Sequence, residues 1–368
     1  MSAREIENME AINAELRQWC HELPKVELHA HLNGSIRDST LLELVKNHGD
    51  NGVLISKDVE QMILEKGTSL RKCFELFAVY HVLATDHETV KRITKEAVED
   101  FAADNCIYLE LRTTPKKNEA KGMTKRSYMD AVIDGLKAVD TVDVDLCGCE
   151  LTNKKNGDWR RKKIFVRLLL SINRSEATSA AIETVNLAME MKEMGVVGID
   201  LSGDPTVGQW DTVLPALEHA RKLGLPVTLH CGEVRNSKEI QAMLDFNPQR
   251  LGHVCLLAEE DWERLKSLMI PVEICLTSNI MTQTIPLIEY HHFADLYKSK
   301  HPLSLCTDDT GLFSTTLSNE YYKAAVTFGL GKEEMFKLAQ EAVDFVFANE
   351  DVKKHLAQNY EEAKARIL

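Results

Sequence analysis

The sequence predicts a (β/α)8 barrel of the TIM type, with a helical segment inserted after the first strand and extra helices at the C-terminus. Three observations lead there. Eight runs read as strands, helical patterns separate most of them, and polar residues gather at the C-terminal ends of the runs. Eight units favour a closed barrel over an open doubly wound sheet, and no Gly-x-Gly-x-x-Gly follows an early strand. The 368 residues suit one such barrel with insertions, so a single domain over 1–368 is expected.

The elements follow in order. The opening MSAREIENMEAINAELRQWC mixes charged and apolar residues at helical spacing and lacks the basic start and apolar run of a signal peptide. KVELHAHL, Lys25–Leu32, alternates as a strand and ends at Asn33-Gly34. Residues about 39–102 read as the helical insertion, with apolar residues at helical spacing from Leu70 to Leu83. The remaining strands are expected at Ile107–Thr113, Ile164–Ile172, Val196–Ser202, Val227–Cys231, Arg250–Val254, Val272–Thr277 and Leu303–Thr307. Helices are expected at Thr178–Met194, Thr212–Leu223 and Trp262–Leu268, and from Ser318 to the end.

Composition narrows the function. The 44% hydrophobic and 27% charged fractions are those of a soluble protein with a sizeable core. A net charge of −13 argues against nucleic acid as a partner, so a phosphate must be met by a local cationic site. A small molecule is therefore the expected ligand. No uncharged stretch approaches the ~18 residues that a membrane span needs. The nine cysteines include no Cys-x-x-Cys pair, Cys147 and Cys149 being the closest in sequence. Reduced thiols in a cytosolic monomer are the expectation.

The chemistry lies at the strand ends. His29, His31, His230, Glu233, His253, Ser278, Asn279, Asp308 and Asp309 all fall at or just past the C-terminal ends of expected strands. In a parallel barrel those ends share the rim that carries the active site. His29-Ala30-His31 puts two imidazoles on one strand face, although such a pair also occurs as hydrogen-bonded core groups. His230 alone would pass for a structural histidine, and Asp308-Asp309 alone for a helix cap or turn. Together, imidazole nitrogens and one carboxylate suit one Zn2+ per chain, which would supply an activated water at neutral pH. Consecutive residues at a strand end face opposite ways, so one aspartate would take the metal while its neighbour reaches substrate. Glu233 in HCGE reads as a general acid/base, or alternatively as a first-turn helix glutamate. His253 in LGHV would position the attacking water, or is a buried neutral histidine.

PKVELHAHLNGS, LSGDPTVG, LHCGE, LGHV, CLTSN and CTDDTG, in this order, resemble the adenosine deaminase family, from about Pro24 to the C-terminal helices. Within it the sequence is most similar to the branch that acts on N6-methyl-AMP. The resemblance implies zinc on His29, His31, His230 and Asp308, with Glu233 as proton donor and His253 orienting the water. It further implies that Asp309 hydrogen-bonds the purine, that the Gly203 backbone meets another ring nitrogen, and that His31 borders the substrate. Ordinary members read His-x-His-Leu-Asp-Gly where this chain has Asn33, and a neutral amide would not repel a 5′-phosphate. By the same resemblance Thr113, Thr114, Pro115 and Lys116 help hold the nucleotide, as does His81 on the inserted segment. Asn173 stands where relatives carry an aspartate and would also face the substrate. The absence of His-x-Glu followed by Pro-Cys-x-x-Cys excludes the other zinc deaminase class.

The resulting expectation is hydrolytic deamination of an N6-substituted AMP to IMP. Its rivals are an adenosine deaminase acting on the free nucleoside and a catalytically silent nucleotide-binding protein. A two-metal amidohydrolase is a third, but no bridging lysine stands at a mid-barrel strand end.

Overall fold

The computed structural model describes residues 3–50, 69–146, 149–150 and 162–368. Ten strands are present among them: β1 (Lys25–His31), β2 (Cys106–Thr113), β3 (Asp143–Leu146), β4 (Cys149–Glu150), β5 (Lys163–Asn173), β6 (Val196–Ser202), β7 (Val227–Cys231), β8 (Arg250–His253), β9 (Val272–Ile274) and β10 (Leu303–Leu305). Eight of them run in the parallel order β1-β2-β5-β6-β7-β8-β9-β10. A parallel bridge between Ala30 and Asp308 joins the first strand to the exit of the last. There His31 N–H donates to the Asp308 carbonyl at 2.9 Å, and Asp308 N–H donates to the His29 carbonyl at 2.7 Å. The barrel is thus closed, as eight strand–helix units require.

The expected helices are present with small shifts, at Thr178–Glu190, Trp210–Lys222 and Glu259–Leu268. The insertion contributes Asp38–Asp50, Leu70–Leu83 and His87–Ala103 among the described residues. Asp86 caps the last of these, accepting from Thr89 N–H at 2.9 Å. Two expectations change. The run at Val272–Thr277 stops as a strand at Ile274, because Leu276–Met281 turns into a short helix. β3 and β4 were not foreseen; they form a small hairpin whose first strand pairs with the start of β5, outside the barrel path.

Strands of a parallel sheet bury both faces, and here one face buries charge. Glu27, His29, Glu110, Arg112, Asp200, His230, Arg250 and Glu273 are all buried on barrel strands. Each charge has a partner, as burial demands. Arg250 reaches Glu273 at 2.6 Å and Glu110 at 2.5 Å, while Arg112 reaches Glu273 at 2.9 Å and Asp200 at 3.0 Å. Glu27 ties the two ends of the sheet together: it accepts from His29 N–H at 2.7 Å and from Thr307 N–H at 3.0 Å. This ladder of ion pairs forms the floor beneath the rim.

Candidate active site

Four side chains converge on one point at the carboxyl rim. His29 Nε2 and His31 Nε2 each lie 3.1 Å from His230 Nε2. Both also lie 3.3 Å from Asp308 Oδ1. These contacts are not ordinary hydrogen bonds. His29 Nδ1 faces Glu273 Oε2 at 2.5 Å, and His230 Nδ1 faces the Leu201 carbonyl at 2.9 Å and Asp200 Oδ1 at 3.1 Å. Each Nδ1 therefore donates, and in the neutral ring each Nε2 presents a lone pair. Lone pairs turned on one another at 3.1 Å call for a cation between them. Ligand bonds of ~2.0 Å on a tetrahedron give edges of ~3.3 Å, close to the spacings found here. The donor set thus fits a small divalent ion of the zinc kind, with carboxylate and carbonyl partners already orienting the rings.

The electrostatics agree. Burial and the Arg112 charge press the His29 imidazole down, but Glu273 and Asp308 outweigh them and hold it near 9. Positive charge is favoured at that point, as a proton or as a metal in its place. Burial lowers His31 to about 4, so its ring is uncharged at neutral pH and one of its nitrogens offers a lone pair. Burial pushes the Asp308 carboxyl up, yet its bonds to His29 and His31 prevail and keep it ionised. Its second oxygen accepts from Ser278 Oγ at 2.6 Å.

Around this cluster lies a pocket of about 290 Å³, lined by His31, Asn33, Thr113, Thr114, Asn173, Gly203, His230, Glu233, His253, Asp308 and Asp309. Leu70, Phe74 and Phe77 of the inserted helix supply an apolar wall. A wider hollow of about 670 Å³ lies elsewhere, beside Arg17, Arg37 and Tyr322, and contains none of the histidine cluster.

Glu233 is no helix residue. Asn236 caps the following helix, which begins at Ser237, and Gly232 at φ +70° turns Glu233 back toward the rim. A residue with a side chain at Gly232 would be strained, and its Cβ would meet Leu257 at 2.6 Å. Burial raises the Glu233 carboxyl to about 7, so it holds a proton near neutrality. Its Oε1 lies 3.9 Å from His253 Nε2, a buried atom with no hydrogen-bond partner among the described residues. His253 and Val254 both adopt positive φ, 66° and 50°, a strained pair that swings the imidazole into the pocket.

Asp308 and Asp309 do not face opposite ways. β10 ends at Leu305, and Asp308 sits at φ 65°, so strand alternation no longer applies and both carboxylates line the pocket. Burial, then the charges of Asp308 and Glu233, push Asp309 far above the carboxylate range, and its buried Oδ1 has no hydrogen-bond partner among the described residues. It therefore presents a neutral carboxylic acid to whatever fills the pocket.

The proposed nucleotide contacts divide. Thr113 Oγ1 lies 2.7 Å from Tyr128 Oη, which in turn donates to Asn33 Oδ1 at 3.3 Å, so Asn33 is held in the wall. Pro115 and Lys116 line a neighbouring hollow that shares Thr114 and Asn173 with the central pocket. Burial draws the Lys116 ammonium down to about 7. Asn173 Oδ1 is engaged by Ser175 N–H at 3.0 Å and Ser175 Oγ at 2.8 Å. His81 falls on the helix Leu70–Leu83, but its side chain lies outside the described residues.

Sequence reasoning missed the supports: Asp200, Glu273 and Arg112 beneath the ligands, and His291 behind Asn279. A signal existed for the first three, since charged residues at inward positions of strands such as VEI and VVGIDLS must be paired.

Fold and site together define a (β/α)8-barrel hydrolase whose rim carries a His/Asp group able to hold a metal. The chain belongs to the adenosine deaminase family: the family model described as Adenosine deaminase matches residues 24–363. It is 59% identical to an N6-mAMP deaminase of Arabidopsis thaliana over 342 residues, 92% of this chain and 96% of that one. It is 38% identical to the Homo sapiens N6-Methyl-AMP deaminase over 375 residues, 97% of this chain and 99% of that one. The crystal structure of Arabidopsis ADAL complexed with IMP superposes with a TM-score of 0.91 at 57% identity, over 95% of this chain and 100% of that one.

Proposed function

We propose that this chain hydrolyses N6-methyl-AMP to IMP and methylamine. The observation that carries the reading is the meeting, in one pocket, of His31, His230 and Asp308 with Glu233 and Asp309, two carboxyls that burial raises, and with His253, whose Nε2 faces Glu233. The Arabidopsis and Homo sapiens relatives named for this substrate support its choice.

His29, His31, His230 and Asp308 would hold one zinc ion, which when bound lowers the pKa of water and so makes a nucleophile at neutral pH. The chain's own groups do the rest. Asp309 donates a hydrogen bond to a purine nitrogen and fixes the ring plane. Water adds to C6 while Glu233 passes its proton to the adjacent ring nitrogen, which accepts the displaced electron pair. Glu233, now a carboxylate, carries a proton from the water to methylamine as the C6–N bond breaks, and it is reprotonated by the C6 hydroxyl as the carbonyl of IMP forms, the ring nitrogen keeping the proton it received. His253 steadies charge on the attacking oxygen. The neutral Asn33 leaves room for a 5′-phosphate, with Thr113, Thr114 and Lys116 toward that end.

Steady-state kinetics on AMP, N6-methyl-AMP and the two matching nucleosides test the reading. N6-methyl-AMP should give the highest kcat/KM. A preference for adenosine would return the chain to the nucleoside-specific members of its family.

A further inference from the structure

The helix that starts at Phe293 sets the proton position on His253. Phe293 N–H donates to His291 Nδ1 at 3.0 Å, and a backbone amide nitrogen has no other role open to it. His291 Nδ1 must therefore carry the lone pair. Burial drives the protonated form of this ring far down, so it is neutral, with its hydrogen on Nε2. That Nε2 lies 3.1 Å from Asn279 Oδ1, which accepts. The Asn279 amide is then oriented without ambiguity, and its Nδ2 donates to His253 Nδ1 at 3.1 Å. His253 Nδ1 is an acceptor, and in the neutral ring Nε2 holds the hydrogen. That atom is the one turned into the pocket, 3.9 Å from Glu233 Oε1 and 4.0 Å from Asp308 Oδ2.

His291 itself is locked in place. It is buried and stacks on His292 with ring centroids 4.3 Å apart. His292 Nε2 in turn donates to the His253 carbonyl at 2.7 Å, holding the strained backbone from which the His253 ring projects. Two adjacent histidines thus fix one residue, one through its ring and one through its main chain.

We propose that His291 and Asn279 are positioning residues which fix His253 as the Nε2–H tautomer, so that His253 serves the deamination as a hydrogen-bond donor and not as a base. The inference rests on the functional reading above for the identity of the reaction, but the proton position is a property of the protein alone. A ring with hydrogen on Nε2 cannot take a second proton there, so the water's proton leaves by way of Glu233 and the departing amine. A donor held toward the attacking oxygen acts where negative charge grows.

The test combines a spectrum with two variants. In protein with 15N-labelled histidine, purified with its metal, the His253 signals are assigned by their loss in His253→Gln. The expected pattern is a protonated Nε2 and a bare Nδ1. His291→Leu removes the donor to Asn279, frees the amide to turn, and should mix the His253 tautomers. In that variant kcat should fall by ~10-fold or more, short of the ~10²–10³-fold that losing the donor itself costs, with KM and metal content kept. His291→Gln offers an amide N–H near the same place and should restore both the spectrum and kcat. A His253 with its hydrogen on Nδ1, or His291→Leu with unchanged spectrum and turnover, overturns the proposal. If His291→Leu does not fold, the wild-type spectrum still decides. Failure to turn over N6-methyl-AMP would sink the functional reading and leave the tautomer assignment standing.

Discussion

Glu273 Oε2 lies 2.5 Å from His29 Nδ1, and both side chains are fully buried. The same oxygen accepts from Arg112, and the other accepts from Arg250 and Thr228. One carboxylate therefore sets the tautomer of a candidate metal ligand and pairs with two guanidinium groups, which Asp200 and Glu110 share. Glu273→Gln keeps the shape but removes the charge. Metal affinity, measured by competition with a chelator, should weaken ~10–100-fold, the usual effect of losing such a support. Unpairing buried charge should also destabilise the fold by ~3–5 kcal/mol in chemical denaturation.

Glu233 is the proton donor of the proposed reaction, and the sign of its pH dependence follows from its environment. Burial raises it to about 7, and the acid form is the active one. The kcat/KM of the wild type should therefore decline as pH rises through about 7. Glu233→Gln should retain metal while losing ~10²–10⁴-fold in kcat. Near-normal turnover by this variant would falsify the assignment.

Asn33 tests the phosphate. An aspartate there would set a negative charge in the wall beside Tyr128 and Thr113. At ~4 Å and an effective dielectric of ~20, each unit pair costs ~4 kcal/mol before screening. Asn33→Asp should then reduce kcat/KM on N6-methyl-AMP by some hundreds-fold and on N6-methyladenosine far less. Equal losses on both substrates would place Asn33 away from the 5′ end.

Gly34 packs directly against Asp309, the acid proposed to meet the purine. A Cβ there would fall 1.6 Å from Asp309 Oδ1 and 2.7 Å from its Cβ, too close for a short side chain to yield. Gly34→Ala should displace Asp309 and raise KM by at least ~10-fold, the loss of about one good hydrogen bond to a charged or strongly polar group. Metal content measured on the same sample should stay at one per chain.

The barrel and the convergence of the candidate ligands were legible because both repeat or cluster in sequence. HAH on an alternating run gives direction, and polar residues at five of the eight strand ends give a rim. The resemblance placed Asp309 at the substrate, but that Asp308 and Asp309 share one pocket was not legible, because strand alternation ends before them and Asp308 takes a positive φ that no periodicity announces. The short β9 was overrun for a related reason: VEICLT reads as one extended run, yet Thr277 N–H is taken by Glu320, far along the chain, and the segment coils into a helix. His291 was invisible for want of any motif. It acts through Asn279 at 3.1 Å, and only the fold brings that pair behind His253.

The seam that closes the barrel is built from the residues that would hold the metal. Ala30 pairs with Asp308, between His29 and His31 on one side and the final carboxylate on the other. During synthesis the two histidines leave the ribosome early, while Asp308 follows almost 280 residues later. A nascent chain therefore offers at most a partial set of donors, too few to bind an ion tightly or select one kind over another. A metal held by these residues would therefore bind only once the seam has closed.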